Sequence, residues 1–204
     1  MYYKFLREGG VGVYSDVQWS LPTKNDDGTW TPGEWMPVVE KLELCESGYH
    51  VCTLEQSPMW AHSEMYEVEV RGESLDGNDK SCHQQARLLR RVETWNERTA
   101  RLFACDCAEH VLSIFERERP DDNRVRNCIR VTRRYVNGDA TDAELTAAGD
   151  AAGAAAGAAA RDAAAAWDAA GAAARTAARD AAWDAARDAE LKWQSERLQW
   201  YLGK

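Results

Sequence analysis

Apolar and polar positions follow two different periods along this chain. Over Met65–Arg71 they alternate, with Tyr66, Val68 and Val70 on one face and Glu67, Glu69 and Arg71 facing solvent, as in a half-buried β-strand. Shorter runs, "YKFL" and "VGVYSDVQW", flank the Gly9-Gly10 turn, and "NDDGTWTPGEW" reads as a loop from its Asn, Asp, Gly and Pro content. From Lys80 onward the period is read as helical. "QQARLLRRVETW" and "ERTARLFACDCAEHVLSIF" are the first two helical runs, and Pro120 stops the second. A third helix is expected over roughly 122–136, capped by Asp121 or Asp122 and ended at Asn137-Gly138. At helical spacing its Val125, Cys128, Ile129, Val131, Thr132, Tyr135 and Val136 share one face, and Arg126, Arg130, Arg133 and Arg134 the other. The fold class predicted is α+β: a small, mostly antiparallel β module (1–78) followed by an α-helical bundle (79–204).

The bundle carries a long Ala-rich helix from about residue 141. Thr141 and Glu144 have capping-box spacing, and no proline or turn dipeptide follows before Tyr201. Unbroken, this helix would run about 60 residues, or roughly 90 Å. A break at Gly149–Gly157 or at Gly171 is the alternative. Arg161, Asp168, Arg175, Arg179, Asp180, Asp184 and Arg187 crowd about half of its circumference, and alanines with Trp167 line the opposite face. Alanine has the best helix propensity, and its small side chain lets a neighbouring helix approach closely. The tract therefore reads as a scaffold for close contact, within the fold or with a partner, including a homodimer through the Ala-rich face. Leu191, Trp193, Leu198, Trp200 and Leu202 make its last turns more conventionally amphipathic.

Charge is unevenly distributed. Of the net −9 over 204 residues, residues 1–80 carry −9, residues 81–135 carry +4 and residues 136–204 carry −4. That balance argues against non-specific nucleic-acid binding. With no apolar run long enough to span a bilayer and no signal-peptide pattern at the start, no membrane association is expected. The six cysteines are then read as reduced thiols in a bacterial cytoplasm. Walker, GxSxG, HExxH and GxGxxG motifs are missing from the chain, so neither catalytic residues nor a cofactor are expected.

Two cysteine-rich segments invite a metal or ligand reading. In "CDCAEH", Cys107 and His110 share a helical face with Phe103 and Ile114 while Cys105 points away, so one helix offers at most two of these ligands to one ion. Core packing is the simpler role. In "CESGYHVC", Cys45, His50 and Cys52 lie near a glycine turn, but the C-x6-C spacing departs from zinc patterns. Metal binding there stays open beside ordinary packing and beside an aromatic-lined ligand pocket built from Tyr49, His50, Trp60 and His62. For a partner surface, the candidates are Arg126, Arg130, Arg133 and Arg134 with Trp167 and Trp183. A solvated basic face is the simplest reading of these arginines, ahead of docking onto the acidic β module or an acidic partner, with a phosphate site last.

The string "RLFACDCAEHVL", followed by "FE", "PDDNR", a helix ending near Gly138 and the Ala-rich run, resembles immunity proteins of bacterial polymorphic toxin systems over about 99–190. The N-terminal "CESGYH" turn and "YEVEVRG" strand are similar to an uncharacterised module of phage and prophage proteins, over about 1–80. These resemblances imply a non-enzymatic binding protein, immunity-like or a phage counter-defence factor, that sequesters a protein or a small, nucleotide-like signalling ligand. The alternative is an enzyme with an ADP-ribosyltransferase-like β module. There His50 would orient a ribose, Tyr49 or Tyr66 would stack on nicotinamide, and Glu67 or Glu69 would stabilise the oxocarbenium charge.

Overall fold

A computed structural model describes the backbone of residues 1–169 and 176–203, and the side chains of 1–156 and 186–203. The chain forms two compact units, Met1–Ala100 with Glu190–Lys204, and Arg101–Ala189. An α+β fold is what the chain adopts, with its strands in the N-terminal half and, among the described residues, four α-helices after them.

The first unit is built on a five-stranded antiparallel sheet. Its strands are β1 (Tyr2–Arg7), β2 (Val11–Gly12), β5 (Tyr49–Val51), β6 (Glu64–Asp76) and β7 (Ser81–Arg91), in the order β2-β1-β6-β7-β5. The short pair β3 (Thr23–Lys24) and β4 (Trp30–Thr31) brackets the turn at Asn25–Thr29. Backbone bonds from Tyr3 N–H to the Cys52 carbonyl (2.8 Å) and back (3.0 Å) join β1 to the end of β5, closing the sheet on itself. Closure satisfies two edges that would otherwise be exposed. Leu6, Trp19, Met36, Val51, Tyr66, Val68, Ala86 and Leu88 fill the core, which matches the alternation read along β6.

Strand β7 corrects the sequence reading, which placed a helix over 84–95. Gln, Arg and Leu suit a helix intrinsically, but here the tertiary partner decides. A tight connection at Gly77–Lys80 returns the chain antiparallel to β6, pairing Val68 with Leu88 and Val70 with Ala86. On the other side the 33–39 loop donates backbone bonds to Leu88, Ala86 and Gln84 carbonyls at 2.9–3.0 Å. The strand is thus paired along both edges, and the β unit continues well past residue 78.

The helices are α1 (Glu97–Glu118), α2 (Arg124–Val136), α3 (Asp142–Ala169) and α4 (Thr176–Leu202). Cys105, Leu112 and Ile129 form the buried contact of α1 with α2, with Ala108 and Val125 packed against it. The inward face of α1 is therefore that of Cys105, three and seven residues before Ala108 and Leu112. Ile114, expected to pack, is 59% exposed. On α2 the apolar stripe is buried or half-buried and Arg126, Arg130 and Arg134 are exposed. The capping box forms as read: Glu144 Oε2 accepts from Thr141 N–H at 2.8 Å, and Thr141 Oγ1 accepts from Glu144 N–H at 3.2 Å. Gly149, Gly153 and Gly157 lie inside α3 without breaking it. Gly171, the side chains of Trp167 and Trp183, and most of the Ala-rich face proposed for dimerisation lie outside the described residues. Among the described residues, no helix is long and apolar enough to cross a membrane.

Candidate functional site

A cavity of about 730 Å³ opens in the β unit, and its walls come from segments far apart in the chain. Gly48, at φ 111°, turns the chain into β5, and a Cβ there would run into Cys82 Sγ. Tyr49 follows, anchored by its hydroxyl donating to the Pro37 carbonyl (2.8 Å) and set edge-on to Trp19 at 5.5 Å. Trp60 is delivered by a 3-10 turn, Ser57–Trp60, and its Nε1 donates to the Asp79 carbonyl at 2.8 Å. Tyr14 stands edge-on to Trp60 at 6.1 Å, completing four aromatic walls.

Two ammonium groups also line this cavity. Lys4 Nζ donates to the His50 carbonyl at 2.8 Å and lies 5.5 Å from the Trp19 ring centre. Lys80 Nζ lies 4.5 Å over Trp60 and 3.5 Å from Asp79 Oδ1. Burial lowers the Lys4 pKa to about 8, against a smaller opposing pull from the Cys52 and Cys82 sulfurs. The His50 ring is held by Cys45 N–H donating to Nε2 at 2.9 Å. Burial, then the charges of Lys4 and Lys80, lower its pKa, so the ring is neutral near pH 7 and organises the loop. Cys45 sits in the left-handed region at φ 70° within this loop.

Of the four pocket residues read from the sequence, Tyr49, His50 and Trp60 come together here. His62 does not line the cavity: its Nδ1 meets Ser63 Oγ at 3.1 Å and its carbonyl takes the Trp95 indole N–H at 2.7 Å. Lys4, Lys80, Tyr14 and Trp19 were missed. Nothing in their local sequence marks them, because only the closed sheet brings positions 4 and 80 together.

The metal and enzyme alternatives draw on side chains that have other partners. Cys52 Sγ faces Ser57 Oγ at 3.6 Å, and burial raises this thiol to about 11. Among the described residues, no group of three or more His, Cys, Asp or Glu side chains is placed to hold a metal. Glu67, read as solvent-facing, is only 4% exposed and accepts two bonds from the Arg90 guanidinium at 2.7 Å. Glu69 pairs with Arg87 at 2.6 Å, and the Tyr66 hydroxyl donates to Glu64 at 3.0 Å. None of Tyr66, Glu67 and Glu69 lines the cavity.

The helical unit carries a second, more open recess of about 920 Å³, at the corner where α1 leads into α2. Three of the four candidate arginines are tied down within the unit. Arg126 pairs with Glu116 (2.7 Å), Arg133 with buried Asp106 (2.6 Å) and with Glu109 (2.7 Å), and Arg134 with Glu144 (3.5 Å). At the lip of the recess Arg124 pairs with Asp122 at 2.6 Å, and its hydrogen bond holds that carboxyl down to about 2. Arg130 differs. It is exposed, lines the recess, and its bond is to neutral Asn127 Oδ1 at 2.8 Å, with no carboxylate partner among the described residues.

Residues 90–182 match the family described as Imm-5 like putative immunity protein. The helical unit is thus similar to an immunity protein. The match spans α1, α2, α3 and the start of α4, while residues 1–89, with the cavity, lie outside it. No curated protein and no solved structure matches the chain.

Proposed function

We propose that this protein is a non-enzymatic, immunity-type binder that neutralises a toxic polypeptide by sequestering it. The similarity of residues 90–182 to Imm-5 like immunity proteins carries this reading. The α1–α2 corner supplies the contact surface. A rim of internally paired charges around Arg130 fixes the shape of the recess, and Arg130 has donors left for a carboxylate of the partner. An exposed, preorganised arginine in a concave surface is the kind of residue that dominates an interface.

The test is protection in a bacterial host. The full chain is co-expressed with a growth-arresting polypeptide drawn from a panel of bacterial polymorphic toxins. Wild type is expected to restore growth and to co-purify with that polypeptide. Arg130→Glu is expected to lose both, with an unchanged far-ultraviolet circular dichroism spectrum. Protection by Arg130→Glu equal to wild type contradicts the assignment of the surface, and failure of wild type to protect contradicts the function.

A further inference from the structure

We propose that the cavity of the β unit binds a free nucleoside phosphate, with the base between its aromatic walls and the phosphate on Lys4 and Lys80. This site is independent of the toxin-binding reading, since it lies wholly within residues 3–80. The first argument is charge. Lys4 is half-buried and forms no ion pair among the described residues; its one hydrogen bond takes a single ammonium proton. Burying an ammonium without a counter-ion is costly, and an anion entering the cavity removes that cost.

The second argument is placement. Residues 1–80 hold 15 acidic and only six basic side chains, yet the cavity takes two of the six and a single carboxylate, Glu46. Asp79 lies 3.5 Å from Lys80, so Lys4 is the cation without a counter-ion, and the cavity is far less acidic than the segment around it. A long polyanion would have to run across the acidic exterior, which favours a small free ligand over a nucleic acid.

The third argument is shape. Tyr14 with Trp60 and Trp19 with Tyr49 line it as two edge-to-face pairs, an aromatic lining suited to a flat heteroaromatic ring. A volume of about 730 Å³ accommodates a molecule of mononucleotide size. The neutral His50 ring stays engaged with the Cys45 backbone and leaves recognition of the anion to the lysines.

Calorimetric titration of the full chain with AMP, GMP, CMP and UMP tests the site, with adenosine, inorganic phosphate and a short single-stranded oligonucleotide as comparisons. At least one mononucleotide is expected to bind one-to-one, with its nucleoside and phosphate alone each weaker by about tenfold or more. Lys4→Met, which keeps the stem and removes the charge, is expected to weaken binding by about tenfold or more. The melting temperature of the ligand-free variant should be unchanged or raised, so the loss cannot be ascribed to unfolding. Three results would each overturn the proposal: no mononucleotide binding up to about 1 mM, undiminished binding by Lys4→Met, or tighter binding of the oligonucleotide.

Discussion

In the β unit, Leu6, Met65, Cys82 and Leu88 are wholly enclosed, and large aromatic side chains surround a cavity. In the helical unit the described interior includes a small contact of Cys105, Leu112 and Ile129, with Phe103, Val131, Ala148 and Ala155 also buried. The large side chains of the closed sheet leave a shaped space of about 730 Å³, the proposed ligand site. The recess of the helical unit is more open and is lined mostly by charged and polar side chains at the α1–α2 corner, with Ala151 of α3. The proposed ligand thus sits inside one unit and the proposed protein partner against the surface of the other.

Truncation of the two interiors should separate them. Leu88→Ala is expected to cost about 3 kcal/mol, through lost burial and a cavity among tightly packed neighbours. Ala155→Gly, at an equally buried position of α3, is expected to cost about 1 kcal/mol, chiefly in helix propensity. Urea denaturation of both variants checks this, and equal losses would break the comparison. Next in size is Arg133→Ala, which leaves the buried Asp106 carboxylate without its 2.6 Å partner and is expected to cost about 2 kcal/mol. Arg133→Lys should recover part of that loss in the same assay, whereas full recovery would show that only the charge matters.

The smallest effect concerns Lys4 and depends on pH. Its pKa is about 8 in the folded chain against an ordinary lysine value of 10.5, so between these values the unfolded chain binds more protons. Stability therefore rises with pH across this window and is flat on either side of it, as far as Lys4 is concerned. The expected rise is about 1–2 kcal/mol, allowing for partial exposure of the side chain. Subtracting the profile of Lys4→Met isolates it from other groups, and a zero difference between pH 8 and 10.5 would place Lys4 in water. Nucleotide binding should move the other way, weakening as pH passes 8 and the ammonium is lost.

How much of this was legible beforehand varies from element to element. The β6 strand, the α2 stripe and the Thr141–Glu144 cap are local patterns that formed where the sequence placed them, except that Glu67, read as solvent-facing, is buried against Arg90. Strand β7 was hidden because its composition favours a helix and its partners, β6 and the 33–39 loop, are set by tertiary pairing. The Asp76-Gly77-Asn78-Asp79 turn directly after a clear strand was the available signal for a hairpin. In the cavity, Tyr49, His50 and Trp60 stood out as aromatic and imidazole groups beside a glycine turn. Lys4 and Lys80 had no such neighbours, and their role emerges only from sheet closure. On α2 the four arginines looked equivalent at helical spacing. What distinguishes Arg130 is the position of carboxylates on α1 and at the start of α3, which spacing along α2 does not encode.

The claim that the helical unit presses a protein partner against its α1–α2 corner is tested most directly by hydrogen–deuterium exchange on the full chain, with and without the co-purified toxic polypeptide. The account predicts slowed exchange across residues 116–134, centred on Arg130 and the recess, with the cavity segments around Lys4 and Tyr49 unchanged by that partner. Protection confined to the β unit, with residues 116–134 exchanging as in the isolated protein, would contradict it.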